Sequence, residues 1–100
     1  MKDPESIPQV GELVRVLNGR DKDQFAFIID VLDERFVRIA DGDKRKVDRA
    51  KKKNIQHIER VNIIAPEVKN SIVETGRVTN AKLRFAISTY IDDNLLKEGE

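Results

Sequence analysis

Cysteine is absent from the 100 residues, which excludes disulfides, thiol catalysis and zinc–thiolate sites. That absence is neutral about compartment and agrees with the cytosol. Histidine occurs once, at His57, so a metal centre would lack both a second imidazole and a thiolate. Only five aromatics occur, Phe25, Phe27, Phe36, Phe85 and Tyr90, and the first three fall in strand patterns that bury them. Such scarcity argues against gripping single strands by stacking, and suits recognition of a folded RNA by shape and phosphate. No apolar run approaches the roughly 18 residues that span a bilayer. The opening residues, Met1 to Pro8, are acidic and polar without an apolar centre, so no secretory signal is expected and a cytoplasmic location is.

What the chain does contain is charge, unevenly placed. Hydrophobic residues make up 39% and charged residues 37%, a balance that fits a folded, soluble protein of one small domain. The formal net charge is only +1. Yet seven of the ten residues from Lys44 to Lys53 are basic, interrupted by one acid, Asp48. That segment therefore carries +6 and the remainder of the chain −5. A cluster of this kind raises the local potential and attracts polyanions, phosphate chains above all.

The order of elements follows from patterning and turn chemistry. Val10 to Leu17 reads as a short strand partly buried on both faces, ended by Asn18-Gly19. Residues 18 to 23 form a polar loop. Phe25 to Leu32 gives a second strand and Arg35 to Ala40 a third, with Asp33-Glu34 between them. Asp41-Gly42-Asp43 marks another turn. Lys44 to Asp48 is expected as a fourth strand with Val47 inward, and Asn54 to Val61 as a fifth, burying Ile55 and Ile58 through a turn or one-turn helix. Five short strands in this span predict a small SH3-like barrel over residues 10–64, after a flexible N-terminus of residues 1–9. Residues 65–100 read as a helical extension. Pro66 suits a first helical turn and Gly76 a stop, giving a helix from Glu67 to Thr75. Thr79 or Asn80 caps a second helix from Ala81 to about Lys97, with Leu83, Ala86, Ile87, Tyr90 and Ile91 on one apolar face. The fold class is thus mainly β with C-terminal α.

These residues resemble a known family. Val10 to Asp21, followed by Phe27-Ile-Ile-Asp-Val-Leu-Asp and Phe36-Val-Arg-Ile, resembles a KOW module, and in particular the barrel of archaeal and eukaryotic large-subunit ribosomal proteins of the fourteen-e type. The likeness covers roughly Val10 to Val61 and extends equally to a bacterial-type accessory relative. It departs at Lys22-Asp23-Gln24, where small residues are common in that family, and the helices after Pro66 have no counterpart there. The resemblance implies ribosomal RNA as partner.

Two stretches are candidate RNA contacts. In the loop, Gly19 would let the backbone approach a strand while Arg20 and Lys22 reach phosphate or a base edge, with Asn18 beside them; the plainer reading is that Asn-Gly only closes a turn. In the basic run, Lys44, Arg45, Lys46, Arg49, Lys51, Lys52 and Lys53 would meet phosphates, or else form a solvated face. Arg15 could extend the patch from the first strand. His57 reads as a packed or hydrogen-bonded structural residue rather than a stacking one. The acids Asp21, Asp23, Asp30, Asp33 and Glu34 sit at turns, where bonding to their own backbone accounts for them. Without a nucleophile motif or a phosphate-cradling loop, catalysis and cofactors are not expected. The leading expectation is a non-enzymatic protein bound to ribosomal RNA of the large subunit. The alternative is an SH3-like protein-interaction module of the transcription or translation machinery, using residues 66–100 to dock a partner or a second copy. Duplex DNA is a weaker third, because no recognition helix carries the basic residues.

Overall fold

The first two strands are almost wholly apolar because the sheet they form is covered on both sides. In the computed structural model, which describes residues 7–91, five antiparallel strands make one sheet: β1 Glu12–Val16, β2 Phe25–Val31, β3 Phe36–Ala40, β4 Lys51–Asn54 and β5 Ile58–Ile64. Their order is β4-β3-β2-β1-β5. One 3-10 turn, Ile55–His57, joins the two edge strands β4 and β5, so the sheet curls into a barrel-like shape. Two helices follow, α1 Pro66–Thr75 and α2 Asn80–Tyr90.

Side chains alternate across the strands. Val14, Val16, Ala26, Ile28, Val37, Ile39 and Ile58 pack together as one cluster inside the curled sheet. Leu13, Phe27 and Ala40 point the other way and meet Ala65, Val68, Val78, Leu83 and Ala86 from the helical segment. Leu13, Phe27, Val68 and Leu83 are fully buried, each contributing about 1.5–3 kcal/mol of transfer free energy. The segment after β5 therefore supplies five of the eight buried residues of that layer.

The helix boundaries have the local causes read from the sequence. Pro66 takes the first turn, and Gly76, left-handed at φ 74°, donates its N–H to Ile72 O at 2.8 Å. Thr79 is the cap of α2, its hydroxyl accepting from Lys82 N at 3.1 Å. The helix begins at Asn80, one residue earlier than expected, and its predicted continuation to Lys97 lies outside the described residues beyond Ile91. Most of the predicted N-terminal arm, residues 1–6, lies outside them too.

One strand assignment is corrected. Lys44 to Asp48 is not a strand: it forms a turn leading to a 3-10 turn at Val47–Arg49, while β4 is the lysine run itself. Lysine and asparagine are poor strand formers, but Val37, Arg38 and Ile39 of β3 pair with Lys53, Lys52 and Lys51 and impose the extended form. Val47 still packs, partly buried, against the helix-side core.

A buried ion pair ties β1 to β5. Glu12, 2% exposed, accepts Arg60 Nε and, at 3.2 Å, Nη2, and also the Gln9 N–H at 3.1 Å. Close by, Gly11 at φ +85° lies so near α1 that a Cβ there would stand 2.7 Å from Lys69 Cβ. Only glycine fits that approach.

Two measurements check this account. Glu12→Ala removes the buried carboxylate that accepts from Arg60 and from the Gln9 N–H, and denaturant unfolding should show a loss of about 3 kcal/mol. Asp33 closes the β2–β3 turn, its Oδ1 accepting from Arg35 N at 2.7 Å and Phe36 N at 2.9 Å. Those two bonds hold its pKa below the ordinary value, with Lys52 and Arg35 adding to the effect. A carboxyl depressed in the folded state stabilises above its unfolded pKa and ceases to as pH falls through the folded one. The stability gap between wild type and Asp33→Asn should therefore be full above roughly pH 4 and close below it.

Candidate nucleic-acid interface

The β1–β2 loop and the β3–β4 connection are distant in sequence and adjacent in the fold. One contact joins them directly, and a second ties the β1–β2 loop to β4. Arg45 Nη2 lies 3.2 Å from Asp21 Oδ2, and Lys53 Nζ donates to the Asn18 carbonyl at 3.2 Å. Lys53 is only 8% exposed, held on the inner side of β4 because its register partner Val37 faces the interior cluster. An ammonium can sit there only because the Asn18 carbonyl meets it. Gly19 lies beside it, where a Cβ would approach Nζ to 3.3 Å.

The twelve candidate residues thus separate by role. Arg20, Lys22, Lys44, Lys46 and Arg49 are exposed and make no ion pair among the described residues. Arg45 is half-engaged by Asp21. Lys51 is partly buried opposite Ile39. Lys52 points to the other side of the strand, its ammonium 4.5 Å from the Phe36 ring centroid. There it shares a groove of about 720 Å³ with Arg38, Asp30 and Asp48, two charges of each sign, so that groove has no net attraction for phosphate. Arg15 is turned to carboxylates: its Nη1 lies 3.8 Å from Asp23 Oδ1, and its Nε lies 2.9 Å from Glu59 Oε1, close enough for an ion pair but off the N–H line. The exposed cations lie on either side of the Arg45–Asp21 bridge in the chain, Arg20 and Lys22 in the β1–β2 loop and Lys44, Lys46 and Arg49 in the β3–β4 connection.

His57 is exposed and not packed as expected; its backbone carbonyl, not its ring, is used, accepting from Leu17 N at 2.9 Å. Asp21 and Asp23 also differ from the expectation that turn bonding occupies them, since both face arginines. Asp41 is the residue that organises the basic connection, its Oδ1 accepting from Asp43 N and Arg45 N at 2.8 Å each. Two residues that sequence reasoning missed, Asn80 and Arg84, reach this connection from α2: Asn80 Oδ1 accepts from Val47 N at 2.8 Å, and Arg84 Nη1 donates to Gly42 O at 2.7 Å. Nothing local marks either one, because both partners lie far away along the chain. No group of three or more His, Cys, Asp or Glu suited to a metal ion occurs among the described residues. No helix there is long and apolar enough to cross a membrane.

Fold and site together define a small, mainly β protein with a barrel-like sheet and two adjacent loops whose exposed cations are interspersed with acids. Over 71 residues, 71% of this chain and 96% of the relative, it is 41% identical to the Bacillus subtilis (strain 168) protein named "Putative ribosome-binding protein YbzG". The chain belongs to the YbzG family. No family model matches it.

The Lys53–Asn18 bond carries a direct expectation. Lys53→Met keeps the apolar stem and removes the ammonium, leaving the Asn18 carbonyl unmet. Unfolding by denaturant should show a loss of about 1.5 kcal/mol, with faster amide exchange at Lys22 and Asp23, whose N–H groups bond within the loop and its strand.

Proposed function

We propose that the protein is a non-enzymatic, cytoplasmic ribosome-binding protein whose two adjacent loops contact ribosomal RNA of the large subunit. The observation that carries this reading is the joining of the β1–β2 loop to the β3–β4 connection by Arg45–Asp21 and to β4 by Lys53–Asn18. Cations from separate parts of the chain thereby share one rigid edge, as phosphate contacts along a backbone require. The relative YbzG, named for ribosome binding, supports the partner. The expected resemblance of the barrel to a KOW module agrees with it.

Within this reading the residues divide their tasks. Arg20, Lys22, Lys44, Lys46 and Arg49 meet phosphates directly, with Lys51 at the margin. Arg45 offers its remaining donors from a position fixed by Asp21. Asn18, Gly19 and Lys53 shape the loop, and Gly19 lets backbone come close to the strand it meets. Lys52 and Arg15 lie outside the main contact.

Cosedimentation with ribosomes over a salt series tests the proposal. The variant Arg20→Ala/Lys22→Ala/Lys44→Ala/Lys46→Ala removes exposed charges without touching the core. It should weaken binding strongly and flatten the slope of log K against log salt by about 3 to 4 for a duplex-like target. Unchanged affinity and slope would remove the assignment. Exposed Phe85 and Val73, 69% and 66% accessible on the helices, favour one rival: a protein-docking module whose binding survives nuclease treatment and is lost in Phe85→Ser.

A further inference from the structure

The connection from Asp41 to Ala50 carries four of the cations in the proposed contact, and loops of that kind usually sample many shapes. Here its backbone is closed internally and fixed externally. Arg45 O accepts from Asp41 N at 2.9 Å and Gly42 N at 3.1 Å, and Asp41 Oδ1 spans the turn as described. Externally, Asn80 holds one end through Val47 N, and Arg84, one helical turn later, holds the other through Gly42 O. Between the two bonds the loop lies directly on the helix. A Cβ on Gly42, whose φ is +82°, would stand 2.3 Å from Asn80 O and 3.2 Å from Arg84 Cγ. The helix cannot yield, because Leu83 and Ala86 are fully buried against the sheet.

Asn80 could have capped its own helix, yet Thr79 does so and leaves the amide oxygen of Asn80 for Val47. Arg84 likewise spends a charged donor on a neutral carbonyl inside the molecule. Neither arrangement is needed to bury the apolar face of α2, which Leu83 and Ala86 accomplish.

We infer that α2 is a clamp, with Asn80 and Arg84 as positioning residues that hold the basic connection in the shape a polyanion meets. The inference rests on the RNA-binding reading given above. The ordering of the loop is then completed during folding and does not weigh against binding.

The experiment compares wild type, Asn80→Ala, Asn80→Asp and Arg84→Lys in two measurements: amide exchange of the free protein, and affinity for purified ribosomal RNA over a salt series. In Asn80→Ala the Val47 amide should exchange faster, and affinity should fall about tenfold, the loss expected when a few side chains must be ordered on binding. The salt slope should stay as in wild type, since no phosphate-facing cation is lost. Asn80→Asp keeps the acceptor and should restore Val47 protection. Arg84→Lys keeps the charge but falls short of the Gly42 O that Nη1 reaches, and should lose affinity at unchanged slope. If Val47 exchange and affinity stay at wild-type levels in both Asn80→Ala and Arg84→Lys, the clamp is overturned. A flattened slope in Asn80→Ala overturns it as well. Wild-type protein with no affinity for ribosomal RNA would remove the function proposed above, and the clamp's role in binding with it. Loss of Val47 protection in Asn80→Ala would even then show that α2 holds the loop.

Discussion

Burial of the sheet on both faces is the constraint from which the other features follow. β1 and β2 place alternate residues in two separate apolar layers, one within the curl of the sheet and one beneath the helices. A chain of this size has little interior to spare, so neither layer can be dispensed with. The helical segment cannot be an appendage under these conditions. Ala65, Val68, Val78, Leu83 and Ala86 close a layer that Leu13, Phe27 and Ala40 open.

Because α2 must lie on the sheet, it also lies against the turn that follows β3. That adjacency gives the basic connection its shape, through the amide of Asn80 and the guanidinium of Arg84. The same sheet geometry turns Lys53 inward toward Asn18 and Lys52 outward toward Phe36. A dense cluster of basic residues in the sequence thus becomes three environments: an exposed loop, an anchored ammonium and a mixed-charge groove. Strand alternation, not the density of lysine, decides which of the cations remain at the surface beside the first loop.

Much of the fold was legible because its causes are local. Pro66, Gly76 and Thr79 act within one turn of themselves, and apolar patterning placed β1, β2 and β3 within a few residues. The candidate site was legible only in part. Lys44 to Asp48 read as a strand because Val47 is flanked by polar residues, whereas the real strand is composed of residues with little preference for it and is imposed by β3. Arg15 and Arg45 looked free because their carboxylate partners, Glu59 and Asp21, lie 44 and 24 positions away in the chain. His57 read as packed or hydrogen-bonded, yet it ends the 3-10 turn exposed to solvent while Ile58 goes inside. In each case the deciding contact is long-range, and composition carries no trace of it.

β4 has a neighbour on one side only, so its outer backbone offers unpaired donors and acceptors to any extended chain that drifts past. Such margins ordinarily invite stacking of one molecule upon another. Here a second copy adding its own β4 would bring Lys51 and Lys52 against their like, and the repulsion would oppose the pairing. The lysines of β4 therefore guard the sheet's open margin against fibrous growth.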